Sequence, residues 1–200
     1  PCHPRPPVLW CYDPPLMRLI ALALACAAMS ACASPAPSPE FRVTATVKDI
    51  MDSVVDPGSD ALWDSVEIVA TLDGVEHKQP RTDDDWKVLR RHAVTLVEAS
   101  NLLLIPGRRV AKPGEKAEDA RVDLHPEEIE ALIAKDAAAW ARGAHGLHDA
   151  AMESLKAIDA KDVNALMNAG ETLDAACESC HRNYWYRVPP PAGESGSVRQ

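Results

Sequence analysis

Aromatic side chains are scarce in this chain, which has one phenylalanine, three tyrosines and five tryptophans among its 200 residues. Their scarcity leaves a core built mostly of alanine, leucine and valine, and valine is outnumbered by helix formers over most of the chain. No segment alternates polar and apolar residues with period two for long enough to predict a strand. We therefore expect an all-helical fold.

Basic charge is also in short supply, with 21 lysines and arginines against 30 aspartates and glutamates and a formal net charge of −9. A nucleic-acid-binding protein needs a basic face to neutralise phosphates, so the charge argues against this class. The 46% share of hydrophobic residues is that of an ordinary globular domain rather than of a disordered chain.

Cysteines are absent from most of the chain. Only Cys177 and Cys180 lie beyond residue 32, so the sequence does not describe a disulfide scaffold and this pair needs its own explanation. The other four cysteines precede residue 33: Cys2, Cys11, Cys26 and Cys32.

The first forty residues predict export. Residues 1–16 are proline-rich and without period, as in an unstructured or non-native upstream segment. Residues 17–32 have a basic start at Arg18, a short apolar run and then small residues, which is the pattern of an export signal. The apolar run is shorter than the roughly 20 residues that span a bilayer. We therefore expect a periplasmic protein.

Two modes of signal cleavage stay open. The run that ends at Cys32 resembles a lipobox, whose cysteine is acylated and anchors the protein to a membrane, although Met29 stands where leucine is usual. The alternative is ordinary cleavage near Ala33. Residues 33–42 are then predicted to be an extended tether and residues 189–200 a disordered tail.

Between them, residues 43–188 predict a bundle of four amphipathic helices. We expect helix A to be broken at Asp56-Pro57-Gly58 and to resume through Val69, and helix B to begin with a capping box at Thr82. Residues 108–124 show no period and predict a long connection. Helix C should run unbroken from Pro126 to Ile158, and helix D should be capped by Asp159 and carry the final cysteine pair.

The chemistry is concentrated in the C-x-x-C-H run from Cys177 to His181. With six cysteines and seven histidines, about 0.006 such matches are expected by chance. In this motif two thiols add across the vinyl groups of one haem, and the adjacent imidazole ligates the iron. The motif therefore predicts one haem c, bound through Cys177 and Cys180 with His181 as a metal ligand.

A C-x-x-C pair has two other common uses besides haem attachment. A redox dithiol belongs near the start of a helix, where the helix dipole lowers the thiol pKa, whereas this pair lies near the end of one. A structural zinc ion would need a second pair of ligands at suitable spacing, and the sequence offers none.

A C-terminal C-x-x-C-H on the last helix of a four-helix bundle resembles the cytochrome c prime family, the class II c-type cytochromes. The similarity covers roughly residues 43–187 and includes these further positions: Met51, Pro57, Leu62, Trp63, Trp86, Asn101 to Pro106, and Tyr184. The resemblance implies a monohaem bundle in which the motif histidine ligates one face of the iron and a residue of helix A controls the other.

Met51 is the candidate for that second face, and the alternative is that it simply packs in the core. If Met51 ligates the iron, the resemblance implies a low-spin electron carrier, and the acidic charge of the chain then favours a cationic redox protein as its partner. If no residue ligates the second face of the iron, the resemblance instead implies a five-coordinate haem protein that binds or senses NO or CO. We find no acid/base or nucleophile constellation, so we do not expect an enzyme. A homodimer stays open.

Overall fold

The protein is described here by a computed structural model that covers residues 41–72 and 74–187. The predicted upstream segment, export signal and C-terminal tail, and most of the tether, lie outside the described residues, as does Cys32. In the part of the chain that the structure describes, no helix is both long and apolar enough to cross a membrane.

The first helix starts at a capping box. The Thr46 hydroxyl accepts a hydrogen bond from the Asp49 backbone N–H at 3.0 Å, and the Asp49 carboxylate accepts one from the Thr46 N–H at 3.0 Å. The helix consists of α1 (Val47–Ile50), a π-helical segment (Met51–Val55) and α2 (Asp56–Trp63), which follow one another without leaving the helical conformation.

The predicted break at Pro57 is therefore wrong, and the π-helical segment gives the physical reason. In a regular α-helix the ring of Pro57 would press on the carbonyl of Ser53 and would leave it without a donor. The wider segment relieves this conflict, because the Asp56 N–H bonds to the Met51 carbonyl five residues earlier. The chain stays helical through the proline.

Helix A does not resume through Val69, contrary to our expectation. The chain instead forms a hairpin of β1 (Glu67–Thr71) and β2 (Gly74–Lys78), paired antiparallel from Glu67 with Lys78 to Thr71 with Gly74. The hairpin is mostly exposed, so it needs no alternation of apolar residues, and its short strands gave no period-two signal.

Helix α3 (Asp83–Leu102) begins as predicted. Thr82 and Asp85 form the expected capping box, with the Thr82 hydroxyl accepting from the Asp85 N–H at 3.1 Å. Residues 108–124 form no helix or strand, apart from one isolated bridge between Asp123 and Tyr186, and the predicted long connection is confirmed.

The predicted helix C is two helices, α4 (Pro126–Lys135) and α5 (Ala137–Asp159). Asp136 separates them because it leaves the helical conformation, with φ −143° and ψ 76°, and caps α5 by accepting from the Ala139 N–H at 2.8 Å. A short aspartate side chain can accept hydrogen bonds from nearby backbone N–H groups and so interrupt a helix. The spacing of apolar residues does not reveal this.

The cap predicted for the last helix is also wrong. Asp159 is the final residue of α5 and pairs with Arg90 at 2.8 Å, whereas Asp162 caps α6 (Val163–Tyr184) by accepting from the Ala165 N–H at 3.0 Å. Both aspartates precede an apolar run, and the tight turn at Lys161, with φ 52°, decides between them.

These helices confirm the all-α class, with the hairpin as a small addition. Helix α5 packs against α3 and α6, and α2 packs against α3 and α6. The centre is filled by fully buried aliphatic side chains, among them Leu62, Leu96, Ile158 and Leu173. Gly58 allows close packing of α2 on α3, since a Cβ there would lie 3.0 Å from Leu96.

Candidate functional site

The C-x-x-C-H motif occupies the last two turns of α6. Cys177, Cys180 and His181 are half-buried, and neither cysteine is in a disulfide. Residues three and four apart share one face of a helix, so the second thiol and the imidazole follow Cys177 on the side of α6 that meets the bundle. This placement is set by the apolar stripe of α6, which buries Leu166, Ala169, Leu173 and Tyr184.

Two neighbouring cavities are lined by both Cys180 and His181. The larger, of about 360 Å³, is lined by both cysteines and His181, and the smaller, of about 210 Å³, by Cys180 and His181. Met51 and Asp56 line both. The larger volume is in the range typical of sites for small molecules and cofactors, which is roughly 300 to 1,000 Å³. The structure therefore brings Met51 together with all three predicted motif residues.

The first helix forms one wall of the larger cavity. Because the π-helical segment changes the register of the turn, side chains from Met51 to Trp63 reach the same space. The residues of this wall are Met51, Val55, Asp56, Ser59, Asp60 and Trp63. Trp63 is fixed there because its indole Nε1 donates a hydrogen bond to the Gly170 carbonyl of α6 at 3.1 Å.

Small residues of α5 leave room opposite the motif. Gly143 and Ala144 line the larger cavity together with Leu147. A Cβ on Gly143 would lie 3.4 Å from the Cys180 Sγ, so any larger side chain would crowd that thiol. The absence of a side chain here leaves space beside Cys180.

Aromatic side chains frame the end of α6. The rings of Trp140 and Tyr184 meet edge to face at 5.1 Å, and the Trp140 Nε1 donates to the Leu103 carbonyl at 3.0 Å. The His181 ring lies 6.3 Å from that of Trp185 and 5.9 Å from that of Tyr186. Sequence reasoning did not single out Trp140, Trp185 or Tyr186 as site residues. The two consecutive aromatic residues after Tyr184 are the sequence feature that could have indicated such a site.

The two residues after α6 also hold the chain that carries His181. The backbone N–H groups of Trp185 and Tyr186 donate to the His181 carbonyl at 2.7 and 2.9 Å. The Trp185 carbonyl in turn accepts from the Leu124 N–H at 2.8 Å, which ties this end to the long connection. The chain that follows the motif histidine is therefore held in place.

Burial keeps both thiols protonated at neutral pH. It raises the pKa of Cys177 to about 11, with the charges of Asp174 and Asp56 adding to the effect, and it alone raises the pKa of Cys180 to about 11. A redox dithiol needs a thiol pKa lowered toward neutrality. The environment has the opposite effect, so the arrangement argues against the dithiol.

The zinc alternative also lacks support. Within residues 41–72 and 74–187, no group of three or more histidine, cysteine, aspartate or glutamate side chains is placed to hold a metal ion. The cysteine pair and His181 therefore do not belong to such a group in that part of the chain.

The three described methionines differ in position. Met51 is half-buried against the core and lines both cavities. Met152 on α5 is 42% exposed, and Met167 on α6 lines a separate groove with Trp63 and Gly170. Met51 is thus placed to contact a group held by the motif, and its ligation of iron stays a prediction.

Ser59 is a site residue that sequence reasoning missed. Its side chain is 2% exposed and lines the larger cavity, and its hydroxyl oxygen is buried with no hydrogen-bond partner among the described residues. A single serine inside a helical pattern carries no sequence signal. Only the structure shows that its hydroxyl has no local partner.

Comparisons with known proteins give little more. No family model matches this sequence, and no curated protein does. Among solved structures, the chain is similar to the nitric oxide complex of a point mutant of cytochrome c prime from Alcaligenes xylosoxidans, with 18% identity and a TM-score of 0.44. The match covers 74% of this chain and 99% of that chain.

Proposed function

We propose that this chain is a c-type cytochrome that transfers electrons through one covalently bound haem c. The observation that carries the proposal is the meeting of Cys177, Cys180 and His181 at one cavity of about 360 Å³. A C-x-x-C-H motif requires that both thiols and the imidazole reach the same group, and this cavity provides that arrangement.

The chain's residues fit this group. Cys177 and Cys180 would hold it by thioether bonds, and His181 and Met51 would ligate the iron from its two faces. The unpaired hydroxyl of Ser59 and the space left by Gly143 are features that a bound group would explain. When bound, a haem supplies an iron that accepts and returns one electron. The rings of Trp185 and Tyr186 lie beside the His181 ring, at 6.3 and 5.9 Å.

Exposed carboxylates around the cavities support a cationic redox partner. Asp52, Asp56, Asp60 and Asp174 are exposed and line one or both cavities. Negative charge at the edge of a redox site attracts a positively charged protein and speeds its approach, especially at low salt. The proposal assigns no catalytic residue, and the function is transfer rather than turnover of a substrate.

A five-coordinate haem protein that binds small gases is the second candidate. It is favoured by one observation, the buried and unpartnered hydroxyl of Ser59, because a polar group facing the cavity suits a small polar ligand. The two functions differ in whether Met51 occupies the face of the iron opposite His181.

The absorption spectrum of the reduced protein tests the proposal. An electron carrier with His181 and Met51 as ligands should be low-spin and six-coordinate and should bind carbon monoxide slowly. A high-spin spectrum with immediate carbon monoxide binding would replace electron transfer by gas binding. A purified protein without haem would contradict both functions.

We further propose that the protein is exported and anchored by lipid on Cys32. In that case the mature protein should collect in the membrane fraction, and Cys32→Ser should release it or leave it unprocessed. Fractionation with mass measurement of the mature N-terminus is the test. Soluble protein that begins near Ala33 would instead indicate ordinary signal cleavage. Cys26→Ser is the control, since this cysteine lies inside the predicted signal and should not affect anchoring.

A further inference from the structure

Ser59 differs from the other fully buried serines of the bundle. In α3 the Ser100 hydroxyl donates to the Val97 carbonyl at 2.7 Å, and in α5 the Ser154 hydroxyl donates to the Ala150 carbonyl at 3.4 Å. Such bonds to the preceding turn are the usual way for a helix to satisfy a buried serine. The Ser59 hydroxyl makes none, although it is 2% exposed.

The missing partner is expected in the larger cavity. Ser59 lines this cavity together with Cys177, Cys180 and His181, and it does not line the smaller one. A buried hydroxyl without a partner is costly, and such groups are rare in folded proteins. A molecule in the cavity that accepts a hydrogen bond would remove this cost.

The charges of the cavity limit what that molecule can be. Carboxylates line the larger cavity, and the only positively charged candidate among its described residues is His181. Lys48 lines the smaller cavity but not the larger one. An anionic ligand, or the carboxylates of a haem, would therefore be repelled from the space beside Ser59. The carboxylates of the larger cavity are Asp56, Asp60, Asp174 and Glu178.

We propose that Ser59 donates a hydrogen bond to a small neutral ligand with a lone pair, of the class of water, carbon monoxide and nitric oxide, held beside the haem group. This inference rests on the haem of the proposed function and on its second candidate, because a haem that Met51 does not ligate is what would hold such a ligand next to the motif. It goes beyond that function, since it makes Ser59 the residue that favours polar over apolar occupants.

The test uses the haem-loaded protein and carbon monoxide as the probe. A donor that points at the ligand stabilises negative charge on its oxygen and weakens the C–O bond. Ser59→Ala should therefore raise the C–O stretching frequency in the infrared and raise the dissociation rate constant of carbon monoxide about 2-fold to 10-fold, the size expected for one net hydrogen bond. Ser59→Cys, which keeps the side chain's size but donates weakly, should shift the frequency in the same direction.

Ser154→Ala is the matched control, because it removes a buried helical serine that lines neither cavity and should leave the frequency unchanged. All variants are measured alone and combined with Met51→Ala, so that a ligated methionine does not block the probe.

Unchanged C–O stretching frequencies at full haem content would overturn the inference about Ser59 but not the proposed function. Failure of carbon monoxide to bind, with or without Met51→Ala, would do the same. A change in reduction potential with an unchanged frequency places the hydroxyl on the haem itself and also overturns it. Absence of haem from the unmodified protein would instead refute the proposed function.

Discussion

Cys180→Ser should remove most of the covalently bound haem from the protein. Cys177 and Cys180 line the same cavity, so each is expected to form one thioether bond to a single haem. Replacement of the sulfur by oxygen abolishes one bond, and the single remaining anchor should give a small residual amount of attached haem. The double variant with Cys177→Ser should have none. Haem staining after denaturing electrophoresis measures this directly, because only covalently bound haem stays with the chain.

Ser179→Ala is the matched control for this experiment. Ser179 lies between the two anchors, is exposed, and contributes its backbone carbonyl to a hydrogen bond from the Asn183 amide at 2.7 Å. A side chain at this position should not affect attachment, so the variant should stain like the unmodified protein. Equal staining of the Cys180→Ser variant would show that this thiol is not an anchor. A colourless protein that carries zinc would contradict the whole assignment.

The sequence predicted best those features that depend on neighbours along the chain. The capping box of Thr82 and Asp85 is local, and it starts α3 where expected. The C-x-x-C-H motif is also local, and its position on the last helix followed from the apolar stripe of α6 alone. Helical periodicity was enough to predict the all-α class.

Features that depend on competition between alternatives were not predicted. Pro57 suggested a break, but the π-helical segment lets the helix continue through the proline, and this segment and α2 both pack against α3. Asp136 looked like an ordinary polar position within helix C, yet its side chain caps α5 instead. The short strands of the hairpin are exposed, so the hydrophobic pattern contained no information about them.

The candidate site likewise combines residues that can be predicted from the sequence with residues that cannot. Cys177, Cys180 and His181 form a motif that can be read from spacing. Met51 is a candidate because the family resemblance implies an iron-facing residue on the first helix, and the structure puts it at both cavities. Ser59 lies two turns further along that helix and could not be found from the sequence. Its significance comes from the absence of a bond, which is visible only when the surrounding helices are in place.

The π-helical segment links the fold to the site. It begins at Met51, and it lets Val55 and Ser59 follow Met51 along one wall of the larger cavity. Such segments are rare and are often found at functional sites, because they change which side chains of a helix face a ligand. Pro57 thus lies within a continuous helix rather than interrupting it.

Met51→Ala should convert a low-spin, six-coordinate haem into one with an open face that binds carbon monoxide rapidly. Met51 lines both cavities on the first helix, whereas His181 reaches them from α6, so the two side chains approach a shared group from different elements. A thioether ligand favours the reduced iron, and its loss should also lower the reduction potential. Absorption spectra with and without carbon monoxide, together with a redox titration, measure both effects.

Met167→Ala separates ligation from general packing. Met167 is also half-buried, but it lies on α6 in a groove with Trp63 and Gly170 and lines neither of the two cavities. Its loss should leave the spectrum and the potential unchanged, even if it lowers stability by the few kcal/mol that removal of a methionine side chain costs. A low-spin spectrum that persists in Met51→Ala would mean that another residue ligates the iron. A wild-type protein that is already high-spin would make Met51 a packing residue, and gas binding would then be the better assignment.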